Sequence, residues 1–121
     1  MKDILVTNNS DFIQDGLGFE VRYLDTLEYS DVLLAVRDLV HKGHRLMTHP
    51  LSGSVKPFET PYKSIVVSAA RSETVDRDSL ILISDAVMMA EKFRRERHFT
   101  DKLLADFRLI DRDLIERGRI N

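Results

Sequence analysis

All three prolines of this 121-residue chain, Pro50, Pro57 and Pro61, fall within one stretch, residues 41–63, which reads HKGHRLMTHPLSGSVKPFETPYK. Proline fixes φ and has no backbone N–H, so regular structure has to form on either side of this segment rather than through it. The same stretch holds His41, His44 and His49, three of the four histidines, and a Ser52-Gly53-Ser54 triplet. Of 18 basic residues it carries Lys42, Arg45, Lys56 and Lys63; of 20 acidic ones it carries Glu59 alone. Its local balance of +3 sits in a chain of net charge −2, which leaves −5 elsewhere. A nearly neutral chain thus has a local positive segment, where an anion would bind.

The length and the 43% hydrophobic content fit a single α/β domain over residues 1–121, with one core that buries about two-thirds of the unfolded surface. The net charge argues against a general nucleic-acid binder, which needs a broad basic face. With no cysteine, disulfides, thiolate catalysis, Cys-ligated zinc and iron–sulfur clusters are excluded, and any redox role would need a borrowed cofactor. No cofactor is implied. The opening MKDILVTNN has too short an apolar run for a signal peptide. The most apolar segment, residues 80–90, is interrupted by Ser84 and Asp85, so no membrane span is expected. The expectation is a soluble, cytoplasmic protein.

Along the chain, Ile4-Leu5-Val6 predicts a buried first strand that ends in the polar cluster Thr7, Asn8, Asn9 and Ser10. Asn9 or Ser10 is placed to cap a short helix through Asp15, with Phe12 and Ile13 inward, until Gly16 and Gly18 stop it. Residues 19–24 alternate, with Phe19, Val21 and Tyr23 on one side, as in a half-buried second strand at an edge. From Ser30 or Asp31, a helical stripe of Val32, Leu33, Val36, Leu39 and Val40 runs to Gly43. His41 and Lys42 complement the negative end of that helix. Residues 45–48 predict a third strand and residues 63–69 a fourth, with Ile65-Val66-Val67 buried on both faces. Residues 71–78 read as a polar linker.

A helix over about 79–98 follows, although residues 80–83 taken alone also suit a strand. Thr100 caps a last helix, whose Leu103, Phe107, Ile110 and Leu114 form a seam before Gly118 closes it. The preceding helix is the nearest partner for that seam, and a homodimer through these two helices is the alternative. The alternation of strands and helices predicts a small, mostly parallel four-stranded sheet flanked by helices, in the order 2-1-3-4. Strands one and three would then be neighbours at a switch point, where open α/β sheets bind ligands.

That crevice would join Thr7, Asn8 and Asn9 to Thr48, His49 and the Ser52-Gly53-Ser54 turn. Glycine lets backbone N–H groups turn toward an anion, the serines add donors, and Lys56 and Lys63 supply charge. Neither the lysine-bearing Walker pattern nor GxGxxG is present, and Ser-Gly-Ser is also the composition of an ordinary turn. Tyr62 either stacks on a ligand or closes the loop. His49 is the candidate acid–base group, since imidazole titrates near neutrality; its ordinary alternative is a histidine tied to local backbone. Histidines 41, 44 and 49 have no spacing that fixes convergence, so no metal site is read from them.

The run KGHRLMTHPLSGSVKPFETPYKSIVVS at residues 42–68, preceded by VRDLVH and by the N-terminal ILVTNN, resembles the GrdX family. These are small proteins encoded beside glycine, sarcosine and betaine reductases in amino-acid-fermenting bacteria. The resemblance makes His44, Thr48, His49, Pro50, Ser52, Gly53, Ser54, Lys56, Pro57, Pro61, Tyr62 and Lys63 the family-typical positions. It implies an accessory role beside such a reductase, with a protein of that system as partner. Absence of cysteine suits that role better than a share in selenol or thiol chemistry.

Three readings of function follow. The first is an accessory protein that binds an anionic small molecule, or a partner's acidic segment, through residues 48–63 without turnover. The second is a small hydrolase or transferase with His49 as acid–base and Lys56 as anion binder. The third is a homodimeric protein–protein adaptor. A non-catalytic role is favoured over an enzymatic one.

Overall fold

The computed structural model describes residues 1–51, 60–92 and 98–118. Its elements in chain order are β1 (Ile4–Thr7), α1 (Asp11–Gln14), β2 (Glu20–Tyr23), α2 (Tyr29–His41), β3 (Ser64–Val67), α3 (Arg77–Lys92) and α4 (Asp101–Gly118). The sheet has three strands in the order β2-β1-β3, with β1 parallel to β2 and antiparallel to β3. The class is α/β, as expected, but the sheet is mixed and three-stranded rather than four-stranded and mostly parallel.

The difference lies in residues 45–48, expected as a full strand beside β1. They lie instead outside β3 and make one isolated antiparallel bridge, Leu46 to Val67. Side-chain hydroxyls have taken several places in the ladder. Arg45 N–H donates to Ser68 Oγ, Leu46 N–H to Ser79 Oγ, and Val66 N–H to Thr48 Oγ1. Met47 N–H to the Val66 carbonyl and Ser68 N–H to the Arg45 carbonyl are the backbone bonds that remain. Parallel pairing needs a crossover, usually a helix, whereas residues 45–48 and β3, with residues 49–63 between them in sequence, run antiparallel. β3 thus lies between β1 and residues 45–48.

Alternation along the strands divides the core. Ile4 and Val6 of β1, with Ile65 and Val67 of β3, face α2 and α3, while Leu5 and Val66 face Phe12 of α1 and Ile115 of α4. Residues 65–67 are buried on both faces of the sheet, as their continuous apolar run predicts. In α2, Val32, Leu33, Val36, Leu39 and Val40 are all buried. At about 1.5–3 kcal/mol per fully buried aliphatic side chain, this stripe anchors α2 by roughly 10 kcal/mol. An exposed pair such as Arg22–Glu20, at 3.3 Å, contributes under about 1 kcal/mol. Packing of the stripe therefore sets where α2 sits.

Residues 80–83 are helical, as the helix over 79–98 predicts, and α3 starts two residues earlier than expected: Asp76 Oδ2 accepts from both Ser79 N–H and Ser79 Oγ at its first turn. Ile83, Ala86, Val87 and Ala90 then pack toward α2. Among the described residues, the two C-terminal helices do not form the expected packing seam with each other. The helix α4 crosses the opposite face, against α1 and β3. It buries Asp111 and Ile115, while Leu103 and Ile110 of the expected seam stay 40% and 37% exposed. In α1, Phe12 is buried, but Ile13 points outward, 59% exposed. Four residues complete barely one turn, so one side chain reaches the sheet. At β2, an edge strand as expected, Val21 and the preceding Phe19 pack inward, whereas Tyr23 is exposed.

Gly43 ends α2 at φ +104°, and a Cβ there would lie 2.1 Å from the Ser72 carbonyl oxygen. Ser72 N–H donates to the Gly43 carbonyl at 2.9 Å, which seats residues 71–72 against the helix end. Gly43→Ala combines a left-handed backbone with a clash against main chain, so it is expected to lower unfolding free energy by at least about 2 kcal/mol. Urea denaturation followed by far-UV circular dichroism measures this.

Candidate functional site

The residues that leave β1 are polar, yet Thr7, Asn8 and Asn9 are all buried. Burial of such groups requires partners, and among the described residues no buried side-chain nitrogen or oxygen lacks one. Thr7 and Ser64 are cross-strand neighbours with hydroxyl oxygens 2.6 Å apart. Ser64 Oγ donates to Asp111 Oδ2 at 2.6 Å, so the Thr7 hydroxyl supplies the proton between the two hydroxyls. Thr7 Oγ1 in turn accepts from Asn9 N–H at 2.9 Å. Asn9 Nδ2 closes the circuit, donating to Asp111 Oδ2 at 3.0 Å and to the Arg108 carbonyl at 2.9 Å.

Asn8 is the second fastener. Its Nδ2 donates to the carbonyls of Pro61 at 2.8 Å and Thr26 at 3.0 Å, and its Oδ1 accepts from Lys63 N–H at 2.9 Å. One amide thereby ties the end of β1 to the β2–α2 connection and to the return of the proline-containing loop. At the loop's start, Thr48 Oγ1 accepts from Val66 N–H at 3.1 Å. Both loop ends are thus held by the same end of the sheet.

Lys63 and Ser64 are consecutive and so point to opposite faces of the strand end. Ser64 meets Asp111 of α4; Lys63 reaches the α2 side, where its Nζ lies 6.0 Å from the centroid of the Tyr29 ring. Lys63 is 7% exposed. Burial pulls its ammonium down to about 8, opposed by the nearby Asp111 charge. Burial holds the Asp111 carboxyl above the usual carboxylate range, opposed by the Ser64 and Asn9 hydrogen bonds and by Lys63. Burial, with Asp111 second, also raises the Tyr29 hydroxyl. Beside this group Arg108 Nη1 donates to Tyr62 Oη at 2.8 Å, and its guanidinium carbon lies 5.6 Å from the Tyr62 ring centroid.

Of the residues singled out in the sequence, Thr7, Asn8, Asn9, Tyr62 and Lys63 come together here. Thr48 and His49 do not join them directly, since β3 separates them from β1 by two strand spacings, roughly 10 Å. His49 is exposed, and its Nδ1 accepts from Leu51 N–H at 3.1 Å, a tie to local backbone. Ser52, Gly53, Ser54, Lys56 and Pro57 lie outside the described residues. His44 donates from Nδ1 to the Ser68 carbonyl at 2.7 Å, at the other end of the sheet. No group of three metal-ligating side chains occurs among the described residues.

Sequence reasoning missed Tyr29, Ser64, Arg108 and Asp111. A signal for Asp111 was present: it stands four residues from both Phe107 and Ile115, which places a carboxylate on the inward face of α4. Nothing local marks Ser64 or Arg108, because their roles arise from contact with that distant helix.

Between about pH 8 and 10.5, unfolded Lys63 binds more protons than the folded residue, so stability rises with pH across this window. The rise from this one group is expected to approach about 3 kcal/mol. Denaturant titrations at pH 7.5, 9 and 10.5 should show it in the wild type and a flatter profile in Lys63→Met. At acid pH the sign reverses for Asp111. Its raised folded pKa makes stability fall as pH rises through that value, and Asp111→Asn, which keeps an acceptor for Ser64 and Asn9, should remove the trend.

The model of a family described as GrdX-like protein matches residues 4–119. No curated protein and no solved structure matches the chain. Among the described residues, no helix is long and apolar enough to cross a membrane.

Proposed function

Since the chain belongs to the GrdX-like protein family, we propose that it is an accessory protein of a glycine-reductase-type system, which takes up an anionic small molecule or an acidic partner segment through residues 48–63. The observation that carries this reading is the buried Lys63 at the loop's return. Its charged form is disfavoured by burial and supported by Asp111, itself a reluctant anion. A bound phosphate or carboxylate would give that ammonium a better counter-ion and draw a proton onto it. Arg108, beside Tyr62 and paired with Asp11 at 3.5 Å, is a second cation at this end. Asn8 and Thr48 fix the loop's two ends, which lowers the ordering cost of binding.

Linkage gives the test. Uptake of a proton with the anion makes affinity fall as pH rises through about 8. Thermal denaturation with a panel of inorganic phosphate, pyrophosphate and small carboxylates, at pH 7 and 9, should show stabilisation that is larger at pH 7. At a hundredfold excess over the dissociation constant this reaches about 2.7 kcal/mol. Lys63→Met should remove the pH-dependent part, whereas His49→Ala should retain it. A response equal at both pH values, or unchanged by Lys63→Met, would sink the reading. Loss in His49→Ala would instead favour the acid–base role for that histidine.

A second reading, self-association through the C-terminal helices, is favoured by the apolar side chains they leave exposed: Met88 at 68%, Leu103 at 40% and Ile110 at 37%. Sedimentation velocity over a hundredfold range of protein concentration should then show a monomer–dimer shift that Leu103→Lys with Ile110→Lys abolishes.

A further inference from the structure

At the end of the sheet opposite Lys63, a cavity of about 570 Å³ is lined by Lys2, Arg22, Lys42 and Arg71, with Glu20 as its one carboxylate. Ile4, Leu39 and Ala69 supply apolar wall, and His44 adds an imidazole. Four cations against one anion give a local +3, and Glu20 is already paired with Arg22 at 3.3 Å. Among the described residues, Lys2, Lys42 and Arg71 have no acidic partner. Asp3, the nearest carboxylate in sequence to Lys2, is not on this wall; it accepts from Ala69 N–H at 3.0 Å.

The fold fixes this arrangement. Gly43 carries the chain out of α2 in a conformation that holds Ser72 against it. Arg71 is thereby set beside the helix end, where its Nε donates to the Lys42 carbonyl at 3.1 Å. His44, 5% exposed, pins Ser68 through Nδ1. Lys42 and Arg71 therefore stand on backbone tied together by hydrogen bonds at a fixed strand–helix junction. Like charges gathered round a concavity with apolar walls repel one another in the absence of a ligand and focus potential into it.

We infer that this cavity is a second anion site, independent of the proposed loop site, for a small metabolite that carries a phosphate or a pair of carboxylates on an apolar body. Three unpaired cations call for at least two negative charges, and the Arg71 guanidinium offers the planar fork that such groups accept. The volume falls within the range of small-molecule sites, about 300–1,000 Å³, and exceeds what inorganic phosphate alone would fill. The wall of Ile4, Leu39 and Ala69 accommodates the remainder.

Titration of uniformly ¹⁵N-labelled protein with adenosine 5′-monophosphate, followed by amide chemical shifts, tests this at residue level. Saturable shifts are expected at Ile4, Lys42, His44, Ala69 and Arg71. The dissociation constant should rise at least tenfold in Lys42→Gln with Arg71→Gln, and stay unchanged in Lys63→Met. Should Arg71→Gln disturb the junction, seen as a lowered Tm, Lys2→Gln with Lys42→Gln gives the same comparison on exposed side chains. Linear drift matched by sodium chloride at equal ionic strength, or an unchanged constant in either double variant, would overturn the inference. Saturable shifts confined to Asn8 and Lys63 would overturn it too, while leaving the loop site standing.

Discussion

A single carboxylate, Asp111, holds the distal helix to the sheet. Its Oδ2 accepts from Ser64 and Asn9, and through them it reaches Thr7, so side chains of β1, β3 and α4 share one hydrogen-bonded circuit. An ionised group in that position is costly unless it is well paired, and satisfied networks of this kind rigidify what they join. Asp111 thus acts as a positional device, at some expense to stability. Its carboxyl lies above the usual range because burial outweighs the donors, which ties the seating of α4 to protonation. Apolar contact on that face is limited to a small cluster of Leu5, Phe12, Val66 and Ile115 with a few flanking side chains. The polar circuit therefore carries much of the specificity there.

The two faces of the sheet are built on different principles. Against α2 and α3, a continuous aliphatic core does the work, and small alanines in α3 allow close approach. Against α1 and α4, polar contacts dominate, with Arg112 donating to the carbonyls of Asp11 and Asp15 and lying over the Phe12 ring. Dependence on charged groups makes the seating of α1 and α4 on the second face sensitive to pH, whereas the aliphatic contacts of the first do not titrate.

The cations likewise divide between the two ends of the sheet. Lys63 and Arg108 stand at the carboxyl end of β1, and Lys2, Lys42 and Arg71 at its amino end. In sequence, Lys42 and Lys63 belong to one positive segment, but in space the length of the sheet separates them. An anion drawn to the segment thus meets two chemically distinct surroundings: a buried ammonium with a shifted pKa, and an open cluster of unshielded charges with an apolar wall.

Local pattern in the sequence was enough to determine the positions of β1, β2, α2 and α4, the burial of residues 65–67 and the stop at Gly43. Each depends on short-range rules: the period of apolar residues, a cap, or a backbone conformation that glycine alone adopts readily. Tertiary structure decided the rest. Strand order, with β3 rather than residues 45–48 beside β1, rests on pairing between distant segments, and no local pattern encodes that choice. Packing of α4 on the sheet rather than on α3 brings Asp111 to Ser64 and Asn9, partners 47 and 102 residues away. Thr7, Asn8, Asn9, Tyr62 and Lys63 were legible as candidates because polar residues at strand ends mark binding clefts. Ser64, Arg108 and Asp111 were not, since a hydroxyl or a charge in a sequence does not specify which distant group will satisfy it.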